Sequence, residues 1–384
     1  MRSWDATSAG TGHEALLLQP CGGHVKIAIL CTLGPRSLDR ETIVALDAHE
    51  VDLFRINLSH TAAGEIEDVI ALIRRHSATP ICLDTEGPQV RCGPMAEGTR
   101  LELGAKVVLT AEDVLGTPER FTLRPSPAID QLKVGNVLSI DIHGAAVQIT
   151  ALGSGSASAE VVVPGPVQSN RAVTIRPEPG LPALSEKDLL AISIGARAGI
   201  AHYALSFAGA AADVERLRSL APEGAHIIAK IESRSGLVHM DEIIAASDSV
   251  LLDRGDLSRQ VPIERVPYWQ KAIVRRCNRW NRSLYVATNL LESMVTSSTP
   301  TVAEANDIAN TLFDGVHGLV LASETAVGVD PVGVVAMTRR MIAAFELATG
   351  TQSFADASDL ESVSEESQSP STSRRPPVAT LPRD

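Results

Sequence analysis

Aromatic residues are scarce in this chain: three Trp, three Tyr and six Phe make up 3% of it, although 44% of its residues are hydrophobic. The core must then be built from Val, Leu, Ile and Ala, the composition of parallel strands covered on both faces. No run of about 18 or more apolar residues occurs, which argues against a membrane-spanning helix. The first 23 residues, MRSWDATSAGTGHEALLLQPCGG, lack a positive start followed by an apolar stretch, so they do not read as a secretory signal. The five cysteines (Cys21, Cys31, Cys82, Cys92, Cys277) are odd in number and lack the close pairs of a zinc site, the usage of a reducing cytoplasm. Positive charge is in deficit as well: a net charge of −12 argues against nucleic acid or an anionic membrane as the main partner. It leaves room for a phosphorylated small molecule, because a local basic site can sit in an acidic protein. The expectation is a soluble, cytoplasmic protein.

What the sequence does have is alternation. Eight short β-branched runs recur: KIAILCTL (26–33), VDLFRINLS (51–59), PICLDT (80–85), HYALSF (202–207), HIIAKIE (226–232), SVLLDRG (249–255), LYVATN (284–289) and GLVLAS (318–323). Helical stretches are expected near 38–48, 63–76, 185–199, 210–220, 233–246, 262–281, 301–313 and 330–346. Eight strands alternating with helices predict an α/β fold, a (β/α)₈ TIM barrel. One interval, about 89–171, breaks the rhythm with RLELGAKVVLT, NVLSIDIHGAAVQIT and SAEVVVPG, which alternate like strands between Gly-marked turns. The domain expectation is a flexible leader over 1–23, a first barrel part over 24–88, an inserted all-β lid over 89–171 and a second barrel part over 172–348. From 349 to 384 the chain is acidic, rich in Ser and Pro and without apolar periodicity, so it is expected to be disordered.

In AKIE, Lys230 and Glu232 are two apart and share one strand face. An ammonium and a carboxylate at a barrel mouth suit phosphoryl transfer: the first neutralises the moving phosphoryl oxygens, the second holds Mg²⁺ or Mn²⁺. A buried structural ion pair is the competing reading. Asp256 in DRGDLS would complete a metal site, or else cap a helix or turn. In RINLSH, Arg55, Asn57 and Ser59 point the same way and His60 follows them. Three polar residues on one face of an apolar strand require partners or a ligand. Asn57 and Ser59 with Asp84 and Thr85 would suit a monovalent cation, and Arg55 and His60 would face nucleotide phosphates. A purely structural polar network explains the same pattern.

CTLGP (31–35), RINLSH (55–60), LDTEGPQVR (83–91), LPALSEKD (181–188), AKIES (229–233), DRGDL (253–257), RCNR (276–279), ATNLLESM (287–294) and ASETAVG (322–328), in this order and spacing, resemble the pyruvate kinase family. The resemblance implies conversion of phosphoenolpyruvate and ADP to pyruvate and ATP through a metal-bound enolate, with Mg²⁺ or Mn²⁺ and with K⁺. It implies that Lys230 assists phosphoryl transfer and that Glu232 and Asp256 hold the divalent ion. Thr288 would serve the proton relay, and the backbone of Gly255 and Asp256 with Thr288 would hold the substrate carboxylate. Asn57, Ser59, Asp84 and Thr85 match potassium ligands. Arg55, His60, Arg91 and, at the return from the insert, Arg171 match contacts to ADP/ATP phosphates, and Ser206 matches a structural serine. A homo-oligomer formed through barrel surfaces is expected.

The chain also departs from the family pattern. LDTKGPE has become LDTEGPQ, placing Glu86 and Gln89 near the nucleotide and monovalent-cation side. ARGDLG has become DRGDLS, placing Asp253 beside Asp256, and SGETAKG has become ASETAVG. The family's C-terminal regulatory domain is not expected, because a low-complexity segment follows 346. Residues facing metal and enolate are kept while those near the nucleotide change. A specialised relative running metal-enolate chemistry on a related enolpyruvate or phosphonate, or a phosphoenolpyruvate- or nucleotide-binding sensor, is the alternative.

Overall fold

Eight β-branched runs become eight parallel strands in the computed structural model, which describes residues 26–141, 144–177 and 179–350. They are β1 (Ala28–Leu33), β2 (Leu53–Asn57), β3 (Ile81–Asp84), β4 (His202–Leu205), β5 (His226–Ile231), β6 (Ser249–Asp253), β7 (Ser283–Ala287) and β8 (Gly318–Leu321). Each pairs with its neighbours in sequence order and β1 pairs with β8, so the sheet closes into a (β/α)₈ barrel. The expected leader, and the expected tail beyond residue 350, lie outside the described residues. The tail's expected start at 349 falls inside a helix, Pro331–Gly350.

The period of two along each strand sorts the side chains. Leu30, Cys82, Ala204, Ile228, Leu251, Ala287 and Val320 form a cluster inside the barrel. Their chain neighbours, among them Ile29, Cys31, Leu83, Tyr203, Leu205, Ile227, Val250 and Leu252, pack outward in the larger cluster that the helices cover. Continued to the carboxyl ends of the strands, the same alternation turns Asp84, Ser206, Lys230, Glu232 and Asp253 inward. At the opposite end of the barrel, His202 and His226 open β4 and β5 with their rings 5.5 Å apart.

Local signals start the covering helices. Asp39 caps Arg40–Ala48 by accepting from the Thr42 N–H. Ser185 with Asp188, and Thr301 with Glu304, form capping boxes for Glu186–Arg197 and Val302–Phe313. The stretch expected as one helix over 233–246 is two, Arg234–Val238 and Met240–Ala246. The run expected as strand to 255 ends at Asp253, and a short helix, Arg254–Gln260, follows directly.

Between β3 and β4 the chain builds a second closed barrel of seven strands. It has its own core, including Leu109, Phe121, Leu123, Val147, Ile149 and Val161. Three of its strands, Val90–Cys92, Arg120–Arg124 and Ala172–Arg176, were not expected from the sequence. The last of these lies past residue 171, because AVTIR pairs with Val137–Ile140 and Val90–Cys92 instead of leading straight back to the large barrel.

Candidate active site

At the carboxyl mouth of the large barrel four carboxylates meet three basic side chains. Arg55 is 4% exposed; its Nη1 lies 2.6 Å from Asp84 Oδ2 and its Nε donates to Thr32 Oγ1 at 2.7 Å. Lys230, 5% exposed, reaches Asp84 at 3.4 Å, Glu232 Oε2 at 3.3 Å and Ser206 Oγ at 3.0 Å. Glu232 is fully buried and its Oε1 accepts the Phe207 N–H at 2.7 Å. Asp256 accepts from Arg259 Nη1 at 2.8 Å and from Gln89 Nε2 at 3.3 Å. Asp253 closes the group: its Oδ1 accepts from the Gly255 and Asp256 N–H groups at 3.1 and 3.2 Å and lies 3.1 Å from the Thr288 hydroxyl.

Crowded negative charge sets the protonation states. Burial pushes the Glu232 carboxyl well above the usual carboxylate range; Lys230 opposes this, while Asp256, Asp253 and Asp84 add to it. Asp256 is raised by burial and by Asp253, against Arg259, Lys230 and Arg91. Burial pulls the Lys230 ammonium down, but Asp84, Glu232 and Asp253 outweigh it and the net displacement is upward. Lys230 therefore stays an ammonium at neutral pH.

Thr288 has a positive φ of 68°, and Asn289 follows at 55°. A β-branched residue in the left-handed region is strained unless its surroundings hold it. Arg254 supplies a hold, donating to the Thr288 carbonyl from Nη2 at 2.8 Å and pairing with Asp307. The Thr288 hydroxyl is thereby fixed 2.7 Å from the Gly255 amide.

The four residues expected as monovalent-cation ligands end neighbouring strands, with Asn57 and Asp84 opposite each other in register. Asn57 Oδ1 accepts the Ser59 N–H at 2.9 Å, and Thr85 Oγ1 accepts the Ser206 N–H at 2.9 Å. Glu86 turns to Lys187 at 3.3 Å, and the Lys187 ammonium also donates to the Leu58 carbonyl. Of the expected phosphate contacts, His60 is held below its ordinary pKa by the surrounding protein and then by Arg91, Arg55 and Lys187. Arg91 donates to the Asn170 carbonyl at 3.0 Å, while Arg171 pairs with Asp141 at 3.2 Å in the insert. The structure thus gathers Arg55 with Asp84 and Lys230 inside the barrel, and holds Arg171 within the small one.

A cleft of about 360 Å³ opens between the two barrels, lined in part by Gln89, Thr174, Phe207, Ser233, Asp256 and Arg259. Arg259 carries no family motif, yet it spans this cleft from Asp256 toward Asp141, 4.0 Å away. Ser206 is likewise more connected than its sequence suggests: its hydroxyl donates to the Thr85 carbonyl at 2.6 Å and lies 3.2 Å from Asp84. Asp188, fully buried, holds the amides of Glu86 and Gly87 at 2.8 and 3.1 Å.

Residues 24–335 match the family model described as pyruvate kinase, barrel domain. The chain belongs to the pyruvate kinase family. Over 326 residues it is 36% identical to the pyruvate kinase of Geobacillus stearothermophilus, covering 81% of this chain and 55% of that protein. It is 34% identical over 316 residues to plastidial pyruvate kinase 2 of Arabidopsis thaliana, covering 80% and 55%. It is 33% identical over 327 residues to the pyruvate kinase of Corynebacterium efficiens, covering 82% and 68%. The chain spans about half the length of the first two of these pyruvate kinases. Among the described residues no helix is long and apolar enough to cross a membrane.

Proposed function

We propose that this chain transfers a phosphoryl group from phosphoenolpyruvate to ADP, giving pyruvate and ATP. The observation that carries the reading is the buried array of Lys230, Asp84, Glu232 and Ser206 at the barrel mouth, with Lys230 held as a cation. A fixed ammonium in a site removed from water stabilises charge on a phosphoryl group in transit without reorganising. Glu232 and Asp256 offer the anionic oxygens that a hard divalent ion, Mg²⁺ or Mn²⁺, requires. When bound, that ion supplies charge neutralisation to the substrate oxygens. The Gly255 and Asp256 amides and the Thr288 hydroxyl, which meet Asp253 Oδ1 in this structure, pass to the substrate carboxylate when it binds, and Thr288 takes part in moving the proton that turns enolate into pyruvate. His60 and Arg91, with Arg55 behind them and Arg171 on the insert, serve the ADP and ATP phosphates. Asn57, Ser59, Asp84 and Thr85 form the K⁺ site. The small barrel, residues 89–171 together with the strand that follows, acts as the lid, and copies associate through barrel surfaces.

A coupled assay for pyruvate from phosphoenolpyruvate, with ADP, Mg²⁺ and K⁺ each withheld in turn, tests this. Pyruvate formation that needs both ADP and Mg²⁺ is expected. Pyruvate formed at the same rate without ADP would remove the kinase and leave enolate or phosphatase chemistry.

A further inference from the structure

Asp253 is the carboxylate of the barrel mouth that, among the described residues, touches no basic side chain. Asp84 faces Arg55 and Lys230, Glu232 faces Lys230, and Asp256 faces Arg259. Asp253 is 5% exposed and, among the described residues, makes no ion pair; the donors around it, two amides and a hydroxyl, are neutral. Buried carboxylates are ordinarily paired with a cation or bound to a metal. Of the four carboxylates, Asp253 alone has no basic side chain of the described residues within ion-pair distance, and it is almost removed from water.

A second observation points to the same gap. Glu232 is fully buried, and its Oε2 accepts no hydrogen bond, facing only the Lys230 ammonium at 3.3 Å. One oxygen each from Glu232, Asp253 and Asp256 lie within 4.8 Å of one another. Two oxygens on one Ca²⁺ lie at most about 5.2 Å apart and two on one Mg²⁺ at most about 4.2 Å, so the three carboxylates reach a single ion with, for Mg²⁺, an inward shift of a few tenths of an ångström.

We propose that Asp253 is a third anionic ligand of the divalent-cation site, which therefore binds its ion through three carboxylates. This rests on the assignment of Glu232 and Asp256 as ligands. Three carboxylates around one doubly charged ion leave the site with a net negative charge. The chain should accordingly hold its ion tightly before any substrate arrives, with fewer water molecules on it than a two-carboxylate site leaves.

Mn²⁺ binding to the full chain, followed by electron paramagnetic resonance and by water-proton relaxation, tests the proposal in wild type, Asp253→Asn, Asp253→Ala and Glu232→Gln. Asn caps a helix as well as Asp, so Asp253→Asn keeps the local fold, which circular dichroism verifies. Both Asp253 variants should bind Mn²⁺ about tenfold or more weakly, because affinity follows the number of charged ligands. Each should also show one more exchanging water on the bound ion, a change that loss of charge at a non-ligand would not produce. Wild-type affinity and hydration in Asp253→Asn, with weak binding in Glu232→Gln, would overturn the third ligand and leave the two-carboxylate assignment standing. Wild-type affinity in Glu232→Gln would overturn that assignment itself.

Discussion

Replacing Lys230 by Met separates two jobs that the side chain does at once. Met fills nearly the same volume, so the change removes charge with little loss of packing. In the folded protein the ammonium lies 3.4 Å from Asp84 and 3.3 Å from Glu232, with 5% of Lys230 exposed. Each contact corresponds to about 5 kcal/mol of attraction at an effective dielectric near 20. Desolvation of the lysine offsets much of this, and the carboxylates left behind set the net effect: breaking a buried pair by removing one partner destabilises by about 3–5 kcal/mol. Asp84 keeps Arg55, so Glu232 bears most of the loss. Urea unfolding without metal should register it, and Mn²⁺ at about 100 times its dissociation constant should restore about 2.7 kcal/mol. On the kinetic side, loss of one preorganised charge is worth about 10²–10³ in kcat, with phosphoenolpyruvate binding nearly unchanged. Exchange of the pyruvate methyl protons with deuterated water, followed by NMR, should persist, since the proton step does not use the ammonium. A variant as stable as wild type that keeps its kcat within a factor of about three would refute both halves of the reasoning.

Thr288→Ala should invert that pattern, slowing methyl-proton exchange more than ATP formation; equal losses in both assays would take Thr288 out of the proton path. Glu86→Lys sets a second ammonium beside Lys187, now 3.3 Å from the carboxylate, and should shift the K⁺ activation curve; superimposable curves would remove Glu86 from cation selectivity. Burial lowers the pKa of both His202 and His226, and each faces further positive charge, His202 from His226 and His226 from Arg218 and Arg282, with Asp248 opposing at His226. The unfolded chain then binds protons more readily than the folded one, so this pair loses stability as pH falls from about 6.5 through the depressed values. His202→Phe should flatten the fall in Tm between about pH 7 and 5, and an unchanged slope would place the acid sensitivity elsewhere.

The large barrel was legible because each of its eight strands carries a β-branched run whose period of two survives in the sequence. The same arithmetic placed Lys230 and Glu232 on one inward face. Strands of the small barrel were harder to see: RFTLR has charges at both ends, and AVTIR follows a polar turn too closely to read as a separate element. Asp253 drew notice as an added charge. Its action as helix cap was available from the order Asp-Arg-Gly-Asp, since an aspartate just before a helix accepts from its first amides. Arg259 was missed because its meaning depends on that helix, which puts it three residues after Asp256 and on the same side. Glu86 and Lys187 lie 101 positions apart, and no local pattern ties them together.

The small barrel leaves the large one and returns to it at nearly the same place. Asp188 grips both strands of that junction: its two oxygens accept the outgoing amides of Glu86 and Gly87, and one of them also accepts the returning amide of Ser185 at 2.9 Å. Both connections of the inserted body are thus tied at one side chain. The knot is made of backbone amides at 86, 87 and 185, and the Ser185 hydroxyl, accepting the Asp188 N–H at 3.1 Å, starts the helix that carries Asp188. A graft of another small domain between these stalks would then need to preserve Asp188, its cap Ser185 and the bend at Gly87, whose φ of 67° suits a residue without Cβ. The interior of the β-cap answers to its own core, and its attachment to the large barrel rests on these two short cords.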